Sequence, residues 1–119
     1  MRVAVLNGVN LDVLHRRDPE LYGGLSLNQL ESQIYAWARE LELLADCRQT
    51  NSEGEYVGWC HDALELFDAP VVEVHLSNIE EREDWRKHSV LAEVASARVI
   101  GKGPDGYREA LEFLAERRR

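Results

Sequence analysis

The chain has 119 residues, 45% of them hydrophobic, and its 14 Lys and Arg against 22 Asp and Glu give a formal net charge of -8. That length and apolar content suit a single domain spanning 1–119 with its own core. The acidic balance argues against nucleic acid as a partner, since nucleic-acid binding needs a basic face. No apolar run is long enough to span a bilayer and the amino end carries no signal-peptide pattern, so no membrane partner and a cytoplasmic location are expected.

In chain order, Arg2-Val3-Ala4-Val5-Leu6 reads as a first strand of the nearly continuous apolar type found in parallel sheets. Asn7-Gly8-Val9-Asn10-Leu11 then suits a tight turn. The following stretch through Arg16-Arg17-Asp18-Pro19-Glu20-Leu21-Tyr22-Gly23-Gly24 is long for a strand-to-helix connection and reads as a flexible lid. Leu27, Leu30, Ile34, Trp37, Leu41 and Leu44 recur at helical spacing, with Ser26 and Gln29 as a capping box at the start. A second strand is expected near Ala45 to Arg48, and a second helix carries Tyr56, Val57, Cys60, Leu64 and Phe67. Strands follow near Val71 to Leu76 and Arg98 to Gly101, and Tyr107, Ala110, Leu111 and Leu114 mark a last helix. Strands alternating with helices predict an α/β fold with a parallel sheet. The Arg117-Arg118-Arg119 run reads as a solvated helix end that complements the helix dipole.

Cys47 and Cys60 have no metal or redox spacing and read as small buried hydrophobes. His61 and His88 form no ligand pattern, and Gly101-Lys102-Gly103 lacks the spacing of a phosphate loop, so no metal or other cofactor is expected. The chemistry concentrates at the end of the third strand. Glu73 and His75 lie two apart, so an extended backbone points them to one face, where a carboxylate orients an imidazole and raises its basicity. The same pattern also fits a buried histidine satisfied by a structural glutamate. In the lid, Arg17 close to Tyr22 would favour the phenolate and make a base of it, although an arginine and a tyrosine in a loop are more often surface residues.

Taken together, the blocks Leu6-Asn7-Gly8-Val9-Asn10-Leu11, Arg17-Asp18-Pro19-Glu20-Leu21-Tyr22-Gly23, Gln49-Thr50-Asn51-Ser52-Glu53-Gly54-Glu55, Val72-Glu73-Val74-His75-Leu76-Ser77-Asn78, Arg82-Glu83-Asp84-Trp85-Arg86-Lys87-His88-Ser89 and Gly101-Lys102-Gly103-Pro104-Asp105-Gly106-Tyr107 resemble type II dehydroquinase, the 3-dehydroquinate dehydratase of flavodoxin-like fold. The resemblance covers most of the chain and implies a doubly wound parallel sheet. By position it implies Tyr22 as the base that takes the proton beside the ketone, Arg17 as its activator, and Asn10 as the holder of a water that stabilises the enolate. His75, oriented by Glu73, matches the general acid; Arg86 matches an arginine on the substrate hydroxyls, the backbone of Leu76 and Ser77 a carboxylate clamp, and Arg82 a lid-contacting arginine. It also implies association as trimers or multiples of trimers, with Asp62 as a residue that a neighbouring subunit would lend to the site.

Relative to the family pattern, roughly 20–25 residues are missing, the substance of one strand with parts of its flanking helices. The resemblance places on that block an Asn and a His that grip the substrate ring. Fusing the flanking helices preserves a right-handed crossover, so four strands instead of five are expected. Val9 stands where the family has a proline and His15 where it has a glycine. Loss of a polar wall suits a bulkier, less polar small-molecule substrate, with apolar positions such as Val9 lining the cavity. The expectation is therefore a repurposed enzyme, a cyclase performing a cycloaddition-type ring closure or a dehydratase, acting on a substrate such as a polyketide intermediate in natural-product biosynthesis. The alternatives are 3-dehydroquinate dehydratase itself and a non-catalytic binding module.

Overall fold

The computed structural model describes residues 1–8, 11–16, 18–66, 70–76 and 95–117, and the side chains of residues 21–22 and 63–66 are not described. Phe67, Arg118 and Arg119 of the predicted helices lie outside the described residues.

Strand β1 (Arg2–Asn7) pairs in parallel with β2 (Leu44–Gln49), with Arg2 opposite Leu44 and Asn7 opposite Gln49. The stretch expected to be a flexible lid contains two short helical segments among its described residues. A 3-10 turn (Leu11–Arg16) buries Leu14 completely in the core, and a single helical turn, α1 (Pro19–Tyr22), follows it. Asp18 caps that turn, its Oδ1 accepting the Glu20 N–H at 3.0 Å, while Pro19 fills the first helical position, where no N–H is needed. Gly23 closes it at φ 87°, and a Cβ there would collide with the Pro104 ring, so both backbone and space demand glycine.

Helix α2 (Leu27–Glu40) begins with the predicted capping box: Ser26 Oγ accepts the Gln29 N–H at 3.2 Å and Gln29 Oε1 accepts the Ser26 N–H at 2.9 Å. It buries Leu30, Ile34, Trp37 and Ala38, the apolar stripe read from the sequence. The helix does not extend to Leu44. Glu42 adopts φ 58°, the Leu43 N–H bonds back to the Ala38 carbonyl at 2.8 Å, and the Glu42 N–H to Arg39 at 3.1 Å, which ends the helix. Leu43 is buried in its place, and Leu44 opens β2 largely exposed.

Helix α3 (Glu53–Leu66) leads to β3 (Val72–His75), which pairs in parallel with β4 (Ala97–Ile100), and α4 (Asp105–Ala115) closes the described fold. α2 and α4 pack together under one face, where Val3, Ile34, Trp37, Leu76 and Leu111 share a core cluster. α3 lies across the other: the direction in which Gly8 lacks a Cβ points at the Tyr56 ring, 3.7 Å away. Gly106 lets α4 sit against the second pair of strands, with Val74 and Val99 methyls 3.3 Å from where a Cβ would be. Arg117 stacks over Phe113 and donates to its carbonyl at 3.0 Å, satisfying the last turn as the charge pattern implied. Cys60 is buried and Cys47 half-buried.

The four expected strands are found among the described residues, where β1 pairs with β2 and β3 with β4 and no ladder joins the two pairs. Between β1 and β3 lies a cavity of about 270 Å³, floored by Ile34 of α2 and by Ala110, Leu111 and Leu114 of α4. Among the described residues no ladder joins β1 to β3, and the packed helices α2 and α4 link the two strand pairs from below.

Two glycines should respond with opposite signs. Gly23→Ala is expected to destabilise by roughly 1–3 kcal/mol through its left-handed backbone and the Pro104 ring. Gly58→Ala, in α3 with nothing within 4 Å of the added methyl, should stabilise by up to about 1 kcal/mol. Urea melts of the two variants check both.

Candidate active site

Glu73 and His75 meet as their spacing required. His75 Nε2 lies 2.6 Å from Glu73 Oε1, and both line the cavity between the half sheets at the carboxyl end of β3, where ligands of open α/β folds bind. Glu73 is 7% exposed and His75 28%, so a solute can reach the imidazole but not its partner. Sequence reasoning missed Arg98. The β3–β4 register sets it directly opposite Glu73, and its Nε donates to Glu73 Oε2 at 3.2 Å; directly opposed residues on one sheet face touch. Each carboxylate oxygen thus has its own cationic or N–H partner, which fixes the carboxylate plane and keeps it ionised. An ionised acceptor requires the hydrogen on His75 Nε2, which leaves Nδ1 as the nitrogen free to exchange a proton with substrate.

At the end of β1, Asn7 is 3% exposed; its Oδ1 accepts the Tyr107 hydroxyl at 2.8 Å, and its buried Nδ2 has no partner among the described residues. Gln49 donates to the Gly8 carbonyl at 3.2 Å and to Asn51 at 2.9 Å, and Asn51 donates to Asp12 at 3.1 Å. These bonds tie Gly8 and Asp12 to the end of β2 and the residues after it. Gly23 against Pro104, with the neighbouring Gly103 N–H bonded to the Leu76 carbonyl at 3.0 Å, brings the backbone of α1 beside the end of β3. Tyr22 closes that helix, its side chain outside the described residues. Leu76 is buried, and Asp62 is exposed on α3 away from the cavity. Val9, Asn10, Arg17, Ser77, Arg82 and Arg86 lie outside the described residues.

Burial, reinforced by the nearby Cys60 and Glu73 charges, pushes the Tyr56 phenol up to about 12. Burial also raises Tyr107, and it pushes the Cys47 thiol up to about 11. Both cavity tyrosines are therefore hydrogen-bond donors at neutral pH and not bases.

Comparison with known proteins places this geometry in a class. The model of the family "Dehydroquinase class II" matches residues 1–62 and 59–115. A 3-dehydroquinate dehydratase of Salinispora tropica is 43% identical over 143 positions, covering 100% of both chains, and that of Deinococcus radiodurans is 42% identical, covering 94% of this chain and 96% of its own. The type II dehydroquinase structure from Propionibacterium acnes superposes with TM-score 0.86 at 34% identity, covering 97% and 96% of the two chains. The chain belongs to the class II dehydroquinase family, whose members are dehydratases, that is lyases, of α/β fold. The alignment to the Salinispora relative uses 143 positions for 119 residues, so 24 positions of it face no residue of this chain, and the two family matches meet at residues 59–62.

These findings overturn the expectation of a repurposed cyclase acting on a polyketide in natural-product biosynthesis. Relatives 38–43% identical along nearly the whole chain are named 3-dehydroquinate dehydratase. The expectation gave most weight to a lost wall, whereas the structure holds His75, Glu73 and Arg98 together.

Long-range nitrogen–proton NMR is expected to show neutral His75 as the Nε2–H tautomer, with Glu73→Gln producing a mixture. Arg98→Leu leaves a buried carboxylate short of a donor and should cost about 1–3 kcal/mol in urea melts. Stability should also fall at alkaline pH: the unfolded chain releases its tyrosine protons near pH 10 while folded Tyr56 holds its own until about 12, so the folded state loses ground as pH rises through that window. Thermal melts between pH 9 and 12 read this directly.

Proposed function

We propose that this chain dehydrates 3-dehydroquinate. The carrying observation is the Arg98–Glu73–His75 chain at the mouth of the cavity, in a protein whose relatives of nearly equal coverage are named for that reaction. Tyr22, as phenolate beside Arg17, takes the proton next to the ketone. The C–H electrons move into the new carbon–carbon bond while the ketone becomes an enolate, stabilised by a water on Asn10. The enolate then collapses and expels the hydroxyl group, which leaves as water with the proton from His75 Nδ1; the proton on Tyr22 returns to His75 through solvent. Arg86 holds substrate hydroxyls, the Leu76–Ser77 backbone the carboxylate, Arg82 contacts the lid and Val9 lines the cavity. Every step is a proton transfer or an electron-pair shift within the substrate, so no cofactor enters the scheme.

The proposal extends to a cytoplasmic location and to trimers or multiples of trimers, in which Asp62 of one subunit faces the site of the next. A small domain with a divided sheet gains stability by burying area between copies. Among the described residues, no helix is long and apolar enough to cross a membrane.

The assay is formation of the conjugated enone from 3-dehydroquinate, read by ultraviolet absorbance. Turnover is expected, with His75→Ala and Tyr22→Phe each lowering it on the order of 10²–10⁴-fold; absence of enone at high enzyme concentration refutes the reading. A second measurement isolates the base. Tyr56 and Tyr107 titrate late, so a phenolate band that grows below pH 9 and vanishes in Tyr22→Phe identifies Tyr22, and Arg17→Gln should move that band to higher pH.

A further inference from the structure

We infer that Arg98 is a positioning residue of the dehydration: by holding Glu73 as a carboxylate, it keeps the proton that Glu73 and His75 share on the imidazole, ready for the leaving hydroxyl. The role rests on His75 being the general acid of the proposed reaction, and it decides whether His75 has an acidic proton to give.

A carboxyl group and an imidazole 2.6 Å apart can hold one shared proton in two ways. In the first, Glu73 is ionised and His75 is an imidazolium with hydrogen on both nitrogens. In the second, Glu73 is a neutral acid whose O–H donates to Nε2, and His75 is a neutral ring with its hydrogen on Nδ1. The two forms contain the same number of protons and differ only in where one of them sits. An imidazolium that releases the Nδ1 proton becomes a neutral ring, which makes it a competent acid near neutral pH. A neutral ring that does so becomes an anion, unless the Glu73 proton crosses to Nε2 in the same step. Either productive route therefore ends with Glu73 ionised beside a neutral His75.

Burial alone favours the second form. Glu73 is 7% exposed and His75 28%, and a site poorly reached by water penalises an ion pair more than a neutral pair. A fixed cation on the carboxylate reverses that order, because opposite charge close by favours the ionised form. Arg98 supplies it through Nε, which donates at 3.2 Å to Oε2, the oxygen that the imidazole does not use. The guanidinium does not titrate, so Glu73 keeps a cation after His75 has given up its charge. The placement comes from backbone register: Glu73 lies opposite Arg98 between the Val72–Ala97 and Val74–Val99 pairs, inside the strand ladder and not on a loop.

Among the described residues, the other elements around the pair bring no charge. Tyr56 of α3 and Tyr107 of α4 face the same cavity, and burial keeps both phenols protonated; Asn7 at the end of β1 is neutral, and α2 contributes Ile34. Arg98 is not among the residues that line the cavity, so its effect reaches the substrate through Glu73 and His75.

The experiment uses the full-length protein with isotope-labelled histidine ring nitrogens and glutamate carboxyl carbons, observed by NMR through the acid side of the His75 titration. The wild type should show both ring nitrogens protonated while the Glu73 carboxyl is ionised. Arg98→Gln should move both signals toward a neutral ring and a protonated carboxyl, and Arg98→Lys, whose ammonium can give Oε2 one charged donor, should move them back. A wild type with protonated Glu73 beside a neutral His75 overturns the proposal whether or not the variants fold, and so does an Arg98→Gln spectrum that matches the wild type. In the enone assay, kcat of Arg98→Gln should fall by about 10- to 10²-fold, part of what a general acid contributes, with KM unchanged within about twofold. Arg98→Lys should recover most of that loss, and the loss should vanish in a Glu73→Gln background, because residues that act through one another are not additive. An equal loss in that background, or a change confined to KM, assigns Arg98 to stability or to substrate binding and overturns the proposal. The spectra need no turnover, so a failure to form enone refutes the dehydration reading while the position of the proton is still read by itself.

Discussion

The contact between α2 and α4 is the constraint on which the rest of this molecule depends. A continuous parallel sheet is held by its own ladder, and helices merely cover it. Here the ladder is interrupted, and the two strand pairs keep a fixed relation only because the helices beneath them pack side by side, with Ile34, Trp37 and Leu111 in one cluster. Between the pairs lies the cavity, lined by β1 on one side and β3 on the other. The buried Asn7–Tyr107 hydrogen bond crosses it, tying the end of β1 to the helix that carries the other half.

The active site inherits its order from the same frame. Glu73 is the hub: it is buried, so it must be paired, and the β3–β4 register supplies Arg98 on one oxygen while the two-residue spacing supplies His75 on the other. Neither partner needs the missing ladder, because both lie within or across the intact pair. The Arg98–Glu73–His75 chain is therefore complete within one strand pair. At the end of β1, the buried Asn7 Nδ2 has no partner among the described residues.

How much of this was legible follows from the range of each signal. The capping box of Ser26 and Gln29, the stripe of Leu30, Ile34 and Trp37, and the Glu73–His75 pair are encoded within a few residues, and all appear as read. Leu44 was assigned to a helix because periodicity continues through a terminus, while a turn at positive φ through Glu42, a residue that gives no warning of it, ends the helix four residues earlier. Arg98 was invisible for a different reason: its role exists only through register with a strand 25 positions away, and nothing in Ala97-Arg98-Val99 marks it. Tyr107 and Asn7, 100 positions apart, lie further still beyond local reading. The family was legible from the order of its blocks. The reaction was misjudged because a deletion was weighed for what it removed, without the geometry of what it left.

The strand pairs and the polar groups of the candidate site meet at one cavity, which Asn7 lines from the end of β1 and His75 from the end of β3. Tyr56 and Tyr107 line it as well, and burial keeps both phenols protonated at neutral pH. Electrostatic interactions strengthen as water is excluded, so Glu73, buried between Arg98 and the partly exposed His75, holds both partners more firmly than an exposed carboxylate would.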